Sequence, residues 1–227
     1  MFLVALATAA PIEVGERLEW SIEWMGMKAG VAWAQLLPDG EGYRIEAGCD
    51  TAGIAERMYP VHDRLTSRWS PEEGSRSYST RFREGRFQQD QFMEFLTDAF
   101  VVRRSQLTDE GWRTREERYA PTEGVEDPVS AFYRIRAAEL SPGESTRFPL
   151  FTGRRTLTLT ATAGRPSLVG KTPALGVEVG TDNGSEVSRR FTVYFSQDED
   201  RLPVQVVVQT RAGPVSATLA RRQMPGR

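Results

Sequence analysis

Few residues in this chain have the types and spacing that chemistry requires. The one histidine is His62, in Tyr59-Pro60-Val61-His62-Asp63-Arg64, and the one cysteine is Cys49, at the end of the strand-like run 43–49. A nucleophile needs a base beside it, and Cys49 with His62 is the single thiol–imidazole pairing that adjacent strands would bring together. No Gly-x-Ser-x-Gly elbow accompanies them. The expectation is an inert, buried thiol and a loop imidazole. One His and one Cys make no zinc site of the usual kind without carboxylates. Asp198-Glu199-Asp200 lacks the spaced ligands and turn glycine of a calcium loop, and before Arg201-Leu202-Pro203 it reads as a solvated hairpin turn. The run Gly164-Arg165-Pro166-Ser167-Leu168-Val169-Gly170-Lys171-Thr172 imitates a phosphate-binding loop. Its glycines stand one residue too far apart, and Pro173 opposes the helix that must follow. Carboxylates are plentiful, but none pairs off as a glycosidase would need. The expectation is therefore no catalytic residue, no metal and no cofactor.

Aromatic side chains are the remaining lead. Trp20, Trp24 and Trp33 fall on early strands, with Phe92 and Phe95 further along. In a filled sandwich these five are core. In a curled sheet the same inward faces line a cavity for an apolar or amphipathic ligand. Both arrangements need inward apolar side chains, so the spacing leaves the two open, and these five residues stand as the candidate ligand-binding set.

The elements that would position them are mostly strands. Leu18, Trp20, Ile22 and Trp24 alternate with Glu19, Ser21 and Glu23, the period of a half-buried strand. Thr156 to Thr162 alternates as cleanly. Turn chemistry punctuates the chain at Pro38-Asp39-Gly40, Glu84-Gly85-Arg86, Thr108-Asp109-Glu110-Gly111 and Asn183-Gly184, where glycine supplies the positive φ of tight turns. Two segments read as helical: a short one over 53–58 and a better one that Asp127 caps and Pro128 opens, over about residues 128–139. Ser141-Pro142-Gly143 stops it. A sheet this wide curls or closes rather than lying flat. The expected fold is all-β: a large curved antiparallel sheet, or an incomplete barrel or sandwich, with one short helix.

Bulk properties agree with one domain. The chain has 227 residues and a net charge of −2, a size that all-β domains often reach undivided. Its basic residues are nearly all arginine, scattered in pairs such as Arg103-Arg104, Arg154-Arg155 and Arg221-Arg222, which read as solvated strand faces. Nothing marks a nucleic-acid footprint. Residues 2–10 form a short apolar run ending in Ala7-Thr8-Ala9-Ala10, similar to the core and cleavage site of a secretory signal peptide but without its basic start. Residues 1–10 are expected to be a truncated signal peptide and residues 11–227 a single all-β domain, periplasmic or secreted. No later apolar stretch is long enough for a membrane-spanning helix.

Several phrases together resemble one family. Val14-Gly15-Glu16-Arg17-Leu18-Glu19-Trp20, Gly26-Met27-Lys28-Ala29-Gly30 and Asp50-Thr51-Ala52-Gly53 resemble the opening of an uncharacterised bacterial family, domain of unknown function 3108. Asp127-Pro128-Val129-Ser130-Ala131-Phe132-Tyr133-Arg134-Ile135-Arg136 is similar to its central motif, and Phe195 to Val204 to its late one. The resemblance implies an exported, mostly antiparallel β protein and no particular reaction. Together with the missing catalytic set, it gives the leading expectation: a non-enzymatic cell-envelope protein that binds an apolar or amphipathic molecule, such as a lipid, in a curved sheet. The alternatives are a module that recruits an envelope protein and a carboxylate-dependent glycan hydrolase.

Overall fold

The computed structural model describes residues 13–182, 187–210 and 213–224. Among them the chain forms β1 (Arg17–Trp24), β2 (Met27–Asp39), β3 (Gly42–Thr51), α1 (Gly53–Met58), β4 (His62–Ser70), β5 (Gly74–Glu84), β6 (Phe87–Phe95), β7 (Phe100–Thr108) and β8 (Gly111–Tyr119). After α2 (Pro128–Ala137) come β9 (Ser145–Phe151), β10 (Thr156–Val169), β11 (Thr172–Asp182), β12 (Val187–Ser196), β13 (Pro203–Thr210) and β14 (Gly213–Gln223). These strands form one antiparallel 14-stranded sheet, ordered β8-β7-β6-β5-β4-β3-β2-β1-β14-β13-β12-β11-β10-β9. Each strand pairs with its neighbours in sequence, except that β8 and β9 stand at the two edges of the sheet; β1 also pairs with β14, which joins the first strand to the last. The expected all-β curved sheet is the fold observed. The run that imitates a phosphate loop is the β10–β11 hairpin, turning at Gly170-Lys171. The Asn183-Gly184 turn and the apolar run over 1–10 lie outside the described residues.

The sheet curls until its two edges face each other. Tyr119 on β8 stacks edge-on against Phe151 on β9 at 5.2 Å between ring centroids, and Phe151 also meets Phe95 and Phe100. No ladder joins β8 to β9, so the barrel keeps a seam. Glu126, just before α2, lies alongside β9 in a parallel bridge with Leu150.

The local sequence explains how α2 plugs the interior. Asp127 Oδ1 accepts from the Val129 and Ser130 amides at 2.8 and 3.1 Å, and the Ser130 hydroxyl accepts from the Asp127 amide at 3.0 Å. This reciprocal cap satisfies donors a helix start would otherwise leave bare. Asp127 is fully buried, and its other oxygen accepts from the Ser67 and Ser75 hydroxyls of β4 and β5 at 2.6 and 2.8 Å. The cap therefore also fastens the helix to the sheet. Ala131 and Ile135 pack against Phe148, Leu159, Val177, Val193 and Phe195 on one side, while Tyr133 packs against Leu36, Ile45 and Trp69 on another. The helix stops at Ala137, two residues short of expectation. Arg201, held at φ 44, donates to the carbonyls of Arg136 and Ala138 at 3.0 and 2.9 Å, and Ala138 turns extended.

A buried ion cluster ties this helix end to both chain ends. Arg136, 1 % exposed, pairs with Glu16, also 1 % exposed, and donates to the carbonyls of Asp200 and Arg201 at 2.9 and 3.1 Å. Arg222 of β14 reaches Glu16 at 2.8 Å and Asp200 at 2.7 Å. The acidic run 198–200 is thus a hairpin turn, as expected, with the half-exposed Asp200 held by Arg222.

Candidate ligand-binding site

Strand parity decides what faces inward, because successive side chains alternate across a sheet. On β6, Met93 is buried with the core, so Phe87, Gln89, Gln91 and Phe95 share its side. On β5 the inward set is Tyr78, Thr80 and Phe82; on β7 it is Phe100, Val102, Arg104 and Gln106; on β8 it is Tyr119, Glu117, Arg115 and Arg113. Cross-strand pairs then set two levels. Toward the β6–β7 turn the levels are apolar: Tyr78 with Met93, Met93 with Val102, Phe100 with Tyr119. Toward the other end they turn polar: Thr80 with Gln91, Gln91 with Arg104, Arg104 with Arg115.

Two adjoining cavities occupy this second level. One, of about 320 Å³, lies over β5 and β6, with Tyr78, Phe82, Phe87 and Met93 supplying its apolar wall and Thr80, Glu84, Gln89 and Gln91 a polar one. The other, of about 400 Å³, lies over β7 and β8 against Arg104, Arg113, Arg115, Glu117, Tyr119 and Arg154. Arg104 and Arg154 line both, so the two form one trough along the seam. The hydroxyl of Thr80, a residue 5 % exposed in the apolar half, has no hydrogen-bond partner among the described residues. A buried hydroxyl is normally bonded.

The roof is the β9–β10 turn, Thr152-Gly153-Arg154-Arg155. Gly153 sits at φ +84, and a Cβ there would lie 2.5 Å from Met93 Cε and 2.6 Å from Gln91 Nε2. The positive φ favours glycine, and a side chain at so close an approach would also displace the ends of Met93 and Gln91. The approach lets the Gly153 carbonyl accept from Arg104 Nη2 at 3.0 Å, while Arg104 Nε donates to Gln91 at 2.9 Å and Nη1 pairs with Glu117 at 3.2 Å. Arg104 is thereby held with its side chain 13 % exposed. This corrects the reading of Arg103-Arg104 as a solvated face: Arg103 is outside, on Glu116 at 2.8 Å, and Arg104 is inside.

The five aromatic candidates do not meet. Trp20 and Phe95 are inward and packed: Trp20 stands edge-on to Phe132 and donates to the Pro203 carbonyl at 2.7 Å, and Phe95 stacks on Phe100. Trp24 is half-buried at the end of β1. Trp33 lies on the outer face beneath Arg17, 4.4 Å from the ring centroid, over Gly48, where a Cβ would meet the indole at 2.8 Å. Phe92 is outward and 43 % exposed. Phe92 and Phe95 are an odd number of residues apart on one strand, which puts them on opposite faces. The trough uses other residues, and its polar half hides in β6, where inward Gln89 and Gln91 alternate with outward Gln88 and Asp90.

Cys49 and His62 are likewise separated. Cys49 pairs across the sheet with Asp63 and faces in, and Asp50 pairs with His62 and faces out. Burial first, then the charges of Asp63 and Asp50, push the thiol up to about 11. His62 bridges Asp50 at 3.0 Å and Glu56 of α1 at 3.1 Å. Its hydrogen bond to Asp50 raises its pKa above 6.5. Glu126 and Asp127, the fully buried neighbouring carboxylates, are taken up by Arg134 at 2.8 Å and by the helix cap. Among the described residues no group of three His, Cys, Asp or Glu is placed to hold a metal ion, and no helix is long and apolar enough to cross a membrane.

A single antiparallel sheet curled into an unclosed, helix-plugged barrel with a trough at its seam is the class this chain defines. Among solved structures it is similar to a β-barrel-like protein of domain of unknown function DUF1849 from Brucella abortus, with a TM-score of 0.62 at 9 % identity, over 93 % of this chain and 98 % of that one. At that identity the likeness shows the fold alone. The profile described as "Protein of unknown function (DUF3108)" matches residues 19–220, and the chain belongs to that family. No curated protein matches it.

Proposed function

We propose that this protein is a non-enzymatic component of the bacterial cell envelope that holds one amphipathic small molecule in the seam trough. The observation that carries this reading is the trough's makeup. A cavity of about 320 Å³, where Tyr78, Phe82, Phe87 and Met93 stand among polar Thr80, Glu84, Gln89 and Gln91, adjoins a guanidinium-lined one of about 400 Å³ inside a curled sheet whose interior α2 helps to pack. Ligand sites of this kind are concave and mostly apolar, with a few placed polar groups. The apolar half supplies the first property, and Thr80, Gln91 and Arg104 supply the second. The envelope location rests on the apolar run over 2–10, which resembles a secretory leader.

Titration of delipidated protein with a fluorescent fatty acid tests the binding reading. Saturation at one probe per chain is expected, with displacement by unlabelled fatty acid. Absence of uptake at micromolar protein would count heavily against it. Fractionation of cells expressing the protein from its own gene tests the location, and a cytoplasmic pool alone would remove the envelope half of the proposal.

A further inference from the structure

The Arg-rich half of the trough has a charge balance that the fold does not explain. Arg104, Arg113, Arg115 and Arg154 line it against one carboxylate, Glu117. Arg113 is paired with Glu110 in the neighbouring turn. Arg104 already serves Glu117, Gln91 and the Gly153 carbonyl. Arg115 and Arg154 are exposed and have no carboxylate partner among the described residues. Moreover, Arg104 and Arg115 stand directly opposite each other on one face of the β7–β8 pair. Like charges in that position destabilise a sheet. The outer face of the same two strands is arranged the other way, with Arg103 opposite Glu116. The repulsion is confined to the inward face, where the cavity is.

We infer that this half of the trough is an oxyanion site: Arg115 and Arg154 bind the carboxylate or phosphate head of the molecule whose chain lies against Tyr78, Phe82, Phe87 and Met93. The inference rests on the amphipathic-ligand reading above and names its chemical class, an acyl or alkyl chain ending in an acid. Arg104, fixed by three contacts, is the preorganised wall between chain and head. Guanidinium is suited to the role because its planar donor fork matches both carboxylate and phosphate oxygens. The anion would relieve the Arg104–Arg115 repulsion, and binding would weaken as salt screens the exposed pair.

The test measures binding of dodecanoic acid, dodecyl phosphate, dodecanol and inorganic phosphate to the full mature chain. It compares wild type with Arg115→Gln, Arg154→Gln and, as an outer-face control, Arg103→Gln. Charge-assisted contacts of this kind correspond to about tenfold to a hundredfold in affinity. The two acids should therefore bind that much more tightly than dodecanol. Arg115→Gln and Arg154→Gln should each erase most of the advantage while leaving dodecanol binding unchanged; Arg154→Gln should leave thermal stability unchanged, and Arg115→Gln should raise it slightly by removing the Arg104–Arg115 repulsion. Arg103→Gln should change neither. Equal binding of acid and alcohol, or acid binding indifferent to Arg115 and Arg154, overturns the oxyanion site and leaves the apolar site standing. Binding of inorganic phosphate, lost in both variants, without uptake of any chain supports the oxyanion site and overturns the amphipathic reading. Failure of every probe overturns both. A preference between the two acids identifies which head the site takes.

Discussion

Replacing Arg136 with methionine isolates the ion cluster that locks α2 into the barrel. Methionine keeps most of the apolar stem and removes the guanidinium. Glu16 then keeps Arg222 on one oxygen, at 2.8 Å, and loses its donor on the other, while the carbonyls of Asp200 and Arg201 lose theirs. Glu16 is 1 % exposed, so water does not readily take over. Breaking a buried pair by removing one partner costs about 3–5 kcal/mol. Because Arg222 remains, the lower part of that range applies, about 3–4 kcal/mol. For a chain of this size each kcal/mol moves the melting temperature by about 2–4 °C, so a fall of roughly 6–16 °C is expected. Arg103→Gln breaks an ion pair whose side chains are 62 and 48 % exposed, and should cost no more than about 0.5 kcal/mol. The assay is urea denaturation with melting followed by circular dichroism. A loss at Arg136 below about 1 kcal/mol, or equal to that at Arg103, would refute the claim that this cluster fixes the helix.

Three further outcomes follow from single residues. Gly153→Ala should cost roughly 1–3 kcal/mol, chiefly because a side chain is strained at φ +84; a neutral result in thermal melts would contradict the argument that this turn requires glycine. Cys49, pushed from 9.0 to about 11, carries roughly a hundredfold less thiolate at pH 8 than an unshifted thiol. Iodoacetamide should therefore alkylate it correspondingly slowly in the folded state and about tenfold faster per pH unit up to pH 10; reaction at the rate of the denatured chain would show the thiol is not shielded. His62 is the one histidine, so its NMR titration is unambiguous: the midpoint should lie above 6.5 and fall toward it in Asp50→Asn. Because the folded pKa is raised, the tie it makes between α1 and β3–β4 is fully present below the unfolded value and is lost as pH rises through the folded one.

Much of the fold was legible in the sequence, for identifiable reasons. Leu18-Trp20-Ile22 and Leu157-Leu159-Ala161 alternate because one face of their strands meets the core. Asp127-Pro128 marks a helix start because a cap acceptor and a residue lacking an amide suit the first turn. The pairing of β1 with β14 was not legible, since nothing local records which distant strand a strand meets. Nor was the interlock of the central and late family motifs through Arg136, Asp200 and Arg201, which no spacing rule connects. The candidate site was missed for a related reason. Hydrophobic alternation reports a buried apolar face, whereas Gln89, Gln91, Arg104 and Arg115 are inward and polar, so their strands lose the signal where the cavity lies. Conversely, Trp33 and Phe92 carry large apolar surface on outer faces, where composition alone suggested a lining.

The central claim, that the seam trough holds an amphipathic acid, is tested most directly by mass spectrometry of an organic extract of the protein, purified without detergent from the cells that express it. The account predicts one acidic, chain-bearing compound per protein, retained by wild type and depleted in Arg115→Gln and Arg154→Gln. An extract with no such compound, from protein that also takes none up from solution, would contradict it.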